Sequence, residues 1–187
     1  MQVKMLKPAV GRILISEPFL SDMYFQRSVV LMVDHSSDGS FGIILNKPVE
    51  SFVCDIVDGF HGIKSKIFLG GPVRSDALFF IHRLGRKIRG SVIIHNDIAW
   101  GGDVGQVKEM IKKGEIKEKD IRFFLGYSGW TKNQLDDELK HNSWVVSDKK
   151  IDTVIDVEPE NMWEYSLKQL SGNYKEWINY PKDPTNN

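Results

Sequence analysis

The chain has 187 residues, enough for one domain whose core stands without metal or disulfide help. Its 25 Lys and Arg balance 25 Asp and Glu, so no global field draws it to nucleic acid or a membrane surface. Cys54 is the one cysteine, which excludes an intramolecular disulfide and any zinc site built on several thiolates.

No apolar run approaches the ~20 residues that cross a bilayer, and Met1–Arg12 lacks a signal peptide's apolar stretch and cleavage site. A cytoplasmic protein with no membrane contact is the expectation. Ile13-Leu14-Ile15 reads as a strand ending at Glu17-Pro18. Ser28–Val33 and Phe41–Leu45 flank the polar His35–Ser40 and read as a hairpin. Asn46-Lys47-Pro48 closes it, because proline cannot donate to a central ladder.

Lys66–Leu69 is a further strand stopped by Gly70-Gly71-Pro72. Leu78–His82 and Ser91–His95 are two more, and the basic segment between them reads as a hairpin or protruding loop. Asp103 with Gln106 forms a capping-box pattern before a helix carrying Val104, Val107, Met110 and Ile111, which Gly114 ends. Ile121–Leu125 returns to strand. Thr131 and Gln134 repeat the capping pattern ahead of Leu135 and Leu139, and Trp144-Val145-Val146 is again strand-like. Pro159 suits the first turn of a last helix with Met162, Trp163, Leu167 and Leu170.

Strands come in succession and helices interleave late. That order predicts an α+β fold, a mixed and largely antiparallel sheet flanked by helices. One domain is expected over 1–187, with a core from about 11 to 170 and an irregular tail over 173–187.

Several chemistries find no support. There is no phosphate-binding G-x-x-x-x-G-K-[ST], and Gly126-Tyr127-Ser128-Gly129-Trp130 fails the nucleophile elbow because glycine directly follows the serine. His35, His61, His82, His95 and His141 include no i,i+4 pair, so no metal site, cofactor or catalytic residue is assigned. Cys54, within Phe52–Val57, reads as a buried structural thiol.

Two features invite ligands. Arg83, Arg86, Lys87 and Arg89 crowd four cations into a stretch without acids, either an anion or nucleic-acid surface or a solvated tip guarding an edge. Whole-chain neutrality favours the second reading. Gly126–Thr131 reads either as a tight strand-to-helix turn or as a place where backbone approaches an anionic group, and Gly70–Val73 invites the same pair.

Three blocks in order resemble the YqgE/AlgH family. They are Arg27–Leu31 with His35, Gly39, Gly42 and Asn46-Lys47-Pro48; then Gly70-Gly71-Pro72-Val73; then Phe124–Trp130 with Gln134-Leu135, Glu138-Leu139 and Trp144. The resemblance implies a compact fold with a bifurcated sheet or small barrel wrapped by helices. It brings no agreed activity, and its bacterial members are often labelled transcriptional regulators, although no helix-turn-helix is legible here.

These readings converge on a non-catalytic binding or regulatory protein that recognises an anionic ligand, a nucleic acid or a protein partner. The ligand-binding candidates are Arg27, His35, Asn46, Gly70, Gly71, Gly126, Ser128, Gly129, Trp130 and Gln134, beside the basic Arg83, Arg86, Lys87 and Arg89. The alternative is a hydrolase or transferase of unrecognised type using Ser128 or Cys54.

Overall fold

The computed structural model describes residues 6–181. Strands β1 (Arg12–Ser16), β2 (Val29–Ser36) and β3 (Gly39–Ile44) form an antiparallel meander, and β10 (Trp144–Lys150) flanks β1. Their apolar runs are nearly continuous because both faces are buried. Ile13, Ile15, Val29, Leu31, Ile43 and Val145 point into one cluster, under helix α4 (Pro159–Lys168). Leu14, Val30, Met32, Ile44 and Val146 alternate to the other face, under α3 (Gln134–Lys140). Two-residue periodicity thus feeds two cores from one set of strands.

The long strand β9 (Ile121–Thr131) joins this half to the next. Residues 128–131 pair with β3, whereas Phe123–Leu125 pair in parallel with β5 (Lys66–Leu69). The other edge of β9 holds β6 (Val73–His82), followed by β8 (Ile98–Trp100) and β7 (Val92–His95). Helix α2 (Val104–Lys112) packs on this half through Val107 and Ile111, over Phe123, Phe80 and Ile67. Strand β4 (Pro48–Phe52) pairs only with β5 and leads into the short helix α1 (Val53–Ile56).

The mixed, largely antiparallel sheet is therefore present, and it is bifurcated at β9 and not closed into a barrel. Other expectations change in detail. Pro48 does not end the sheet but opens edge strand β4, where its missing N–H costs nothing. The basic segment does not join a hairpin, since β8 lies between β6 and β7. Gly126–Thr131 is not a strand-to-helix turn. It lies within β9, and α3 starts at Gln134 after a left-handed Asn133 with φ of 65°. The tail is ordered further than expected, as 3-10 turns over Asn173–Asn179 seat Tyr174 and Trp177 on the core. The rest of that tail, 182–187, lies outside the described residues.

Candidate functional site

Four adjacent strands each contribute one ring to a single aromatic row. Phe41 comes from β3, Tyr127 from β9, Phe79 from β6 and Trp100 from β8. Ring centroids lie 5.6 Å apart for Phe41–Tyr127, 5.7 Å for Tyr127–Phe79 and 5.5 Å for Phe79–Trp100. Phe41 and Trp100 then meet at 5.6 Å, although three strand spacings separate them, about 14 Å in a flat sheet. The sheet must curl here to close the row into a quartet.

Phe41, Phe79 and Trp100 pack inward against the first core, and the half-buried quartet floors an open groove of about 720 Å³. Asp34 and Asp38 of the β2–β3 hairpin stand on its rim, and no lysine or arginine is among its lining residues. Strand alternation explains how the glycine motif contributes. Tyr127, Gly129 and Thr131 face the groove, while Ser128 and Trp130 turn largely inward.

Gly129 is exposed, and a Cβ there would meet only the Tyr127 ring at 3.5 Å and Val73 at 3.7 Å. Packing does not demand glycine at this position. Its effect is to leave the floor bare.

The residues singled out in the sequence are not gathered at one site. Arg27 and Asn46 form a knot at the far end of β3. The Asn46 amide donates to the Arg27 carbonyl at 3.0 Å, and its Oδ1 accepts the Val29 N–H at 2.9 Å. The Arg27 guanidinium sits 4.5 Å over Trp163 and donates to the Tyr180 carbonyl at 2.6 Å, tying down the tail. Burial lowers its pKa from the usual arginine value.

Gly70, Gly71 and Gly126 form a second knot. A Cβ at Gly70 would lie 2.3 Å from the Gly126 carbonyl, one at Gly71 would lie 2.3 Å from the Tyr127 carbonyl, and one at Gly126 would lie 2.4 Å from the Gly71 carbonyl. Ser128 is fully buried and donates to the Gly70 carbonyl at 3.1 Å.

Gln134 belongs to a third unit. Its Oε1 accepts the Thr131 N–H at 3.0 Å and its amide donates to Glu138 at 2.9 Å. Glu138 in turn accepts both the Trp130 and Trp144 indole N–H groups, at 2.8 and 2.7 Å. His35 lies on the hairpin, with Nδ1 2.7 Å from the Ser40 hydroxyl. Of the ten ligand candidates, Gly129 and Trp130 line the groove.

The basic stretch is half neutralised. Arg83 pairs with Asp156, and Arg89 pairs with Asp103 at 2.7 Å. Gln106 anchors the same stretch instead of completing the capping box, accepting from the Arg89 N–H at 2.9 Å and donating to the Lys87 carbonyl at 2.8 Å. Asp103 does cap α2, accepting the Gln106 N–H at 3.0 Å. Arg86 and Lys87 stay exposed.

Cys54 is half-buried, not buried as expected, and its thiol lies 3.7 Å from the Asp55 carboxylate. Among the described residues no group of three His, Cys, Asp or Glu is placed to hold a metal ion. No helix among them is long and apolar enough to cross a membrane.

A half-buried cation and a buried histidine had no sequence signal. Arg122 lies over the Phe68 ring at 4.7 Å and donates to the Ile155 carbonyl at 2.9 Å, with its pKa pulled down to about 10 by burial. His82 accepts the Leu84 N–H at Nδ1 (3.2 Å), which leaves Nε2–H to donate to the Gly101 carbonyl at 3.1 Å. Burial pushes its pKa below the ordinary histidine value. This neutral histidine fixes the chain directly after Trp100.

The comparisons agree with this architecture. A family model described as AlgH-like matches residues 13–175. A UPF0301 protein of Cytophaga hutchinsonii is 43% identical over 175 residues, covering 93% of this chain and 96% of its own. The solution structure of AlgH from Pseudomonas aeruginosa superposes with a TM-score of 0.71 at 24% identity, covering 96% of this chain and 98% of that one. A crystal structure from Corynebacterium diphtheriae gives a TM-score of 0.76 at 19% identity over 94% of each chain, a likeness of fold. The chain belongs to the AlgH-like family.

Proposed function

We propose that this protein is a non-catalytic binding protein and that it binds through the aromatic groove. The observation that carries the reading is a groove floor of four half-buried rings drawn from four strands, left bare at Gly129. Half-buried rings held in a fixed array are a costly arrangement for a free surface and a favourable one for an apolar group laid against them. The acidic rim speaks against phosphate. Base-stacking surfaces for nucleic acid run beside a basic track, and this groove is lined by Asp34 and Asp38 with no cation. An anionic ligand at Arg83–Arg89 has weak support as well, since two of those four charges are spent on ion pairs. A partner presenting apolar surface is the reading favoured among the classes the sequence left open. The enzyme alternative has little to stand on, with the Ser128 hydroxyl buried in a backbone contact and Cys54 beside a carboxylate.

The neutral dye Nile red tests this. Wild-type protein is expected to give saturable fluorescence enhancement, abolished by Gly129→Gln, which fills the floor without changing charge. Dye binding that survives Gly129→Gln in a folded variant would remove the groove from consideration.

A further inference from the structure

We infer that the groove's occupant carries positive charge, as a lysine- or arginine-bearing extended segment of a partner protein. This rests on the binding reading above and names the chemistry of the bound group. Asp34 and Asp38 are exposed on the hairpin rim, and neither enters an ion pair among the described residues. Arg74 and Lys132 neighbour lining residues in sequence, yet neither lines the groove. The charged residues that line the groove are therefore of one sign, above an aromatic floor.

That combination selects a particular kind of side chain. The π-faces of Trp, Tyr and Phe attract an ammonium or guanidinium, and the aliphatic stem behind the charge packs on the same rings. A carboxylate rim adds attraction at longer range and repels acidic competitors. The trough of about 720 Å³ is open, not an enclosing cavity, so it suits a chain laid across it better than a small molecule sealed within. Exposed cations of the protein itself, Arg86 and Lys87 among them, make a second copy the competing occupant.

The experiment displaces Nile red with matched peptides whose central residues are lysine, trimethyllysine, serine or glutamate. Lysine and trimethyllysine peptides are expected to displace the dye, with added salt weakening both. Trimethyllysine should bind at least as well as lysine, because ring faces need no N–H donor. Glutamate peptides should fail. The paired change Asp34→Asn with Asp38→Asn is expected to weaken the lysine peptide about fivefold relative to the serine peptide. If lysine, serine and glutamate peptides displace the dye equally, the charge assignment is overturned and the binding groove stands. If Nile red itself does not report on the groove, both readings fall together. Concentration-dependent self-association abolished by Arg86→Ala with Lys87→Ala would give the groove to a second copy and overturn the partner assignment.

Discussion

Gly126 and Gly129 stand three residues apart on β9 and have opposite physical roles. Gly126 has φ of 69° and is hemmed in by backbone, with the Gly71 and Val73 carbonyls 2.4 and 2.9 Å from where its Cβ would be. It is glycine because nothing else fits. Gly129 has ordinary space around it and is exposed, so its missing side chain matters to whatever approaches from outside. A single glycine-rich string thus encodes a fold requirement and an opening. The two separate only when each position is asked what a Cβ would touch.

Alanine substitution breaks or sharpens that contrast. Gly126→Ala adds left-handed strain of ~1–3 kcal/mol to an overpacking cost of ~1–3 kcal/mol, because the crowding atoms are backbone and cannot turn aside. A loss of about 3 kcal/mol or more in urea unfolding is expected, with Gly71→Ala behaving alike. Gly129→Ala should stay within about 1 kcal/mol of wild type, on the stabilising side, since alanine surrenders less chain entropy on folding. Equal losses at both positions would erase the distinction on which the groove reading depends.

The next effect lies at Glu138 of α3, which holds the inward-turned Trp130 of β9. Its carboxylate serves two indole N–H groups and the Gln134 amide. Trp130 and Trp144 are 5% and 2% exposed, so Glu138→Ala leaves two nearly buried donors without acceptors. An unmet buried donor costs ~1–3 kcal/mol, so a loss of about 2–4 kcal/mol is expected. Glu138→Gln keeps an acceptor oxygen and should lose less than half of that. Nile red binding should persist in both variants, because Glu138 itself is not among the residues that line the groove.

Much of the fold is legible in the chain and the groove is not. The strands of the first half announce themselves because both faces are buried, giving runs such as Val29–Val33. The cap at Asp103 and the proline-led start of α4 are local signals and hold in the structure. Breaker signals mislead at Gly126-Tyr127-Ser128-Gly129, where glycine marks a close backbone crossing within a strand instead of a turn. Strand β8 is three residues long and carries no period, so Trp100 has no visible partner. The quartet is a product of register and curl. Phe41, Phe79, Trp100 and Tyr127 become neighbours only once strand order places β3, β9, β6 and β8 side by side.

Ser128 gives the smallest expected effect and the sharpest test of the enzyme alternative. Its hydroxyl donates to the Gly70 carbonyl, yet that carbonyl also accepts the Ile44 N–H at 2.9 Å. Ser128→Ala therefore removes one neutral hydrogen bond and leaves no backbone group orphaned, for a cost of roughly 0.5–1 kcal/mol. Nile red and peptide binding should be unchanged, because residue 128 points away from the groove that residues 127 and 129 line. A serine-directed fluorophosphonate should leave the wild-type protein unlabelled for the same reason. Labelling at Ser128, lost in Ser128→Ala, would mean that β9 opens to expose its inner face. The inward and outward sides of the motif would then no longer be separate in function, and the alternation that assigns Gly129 to the groove would lose its force.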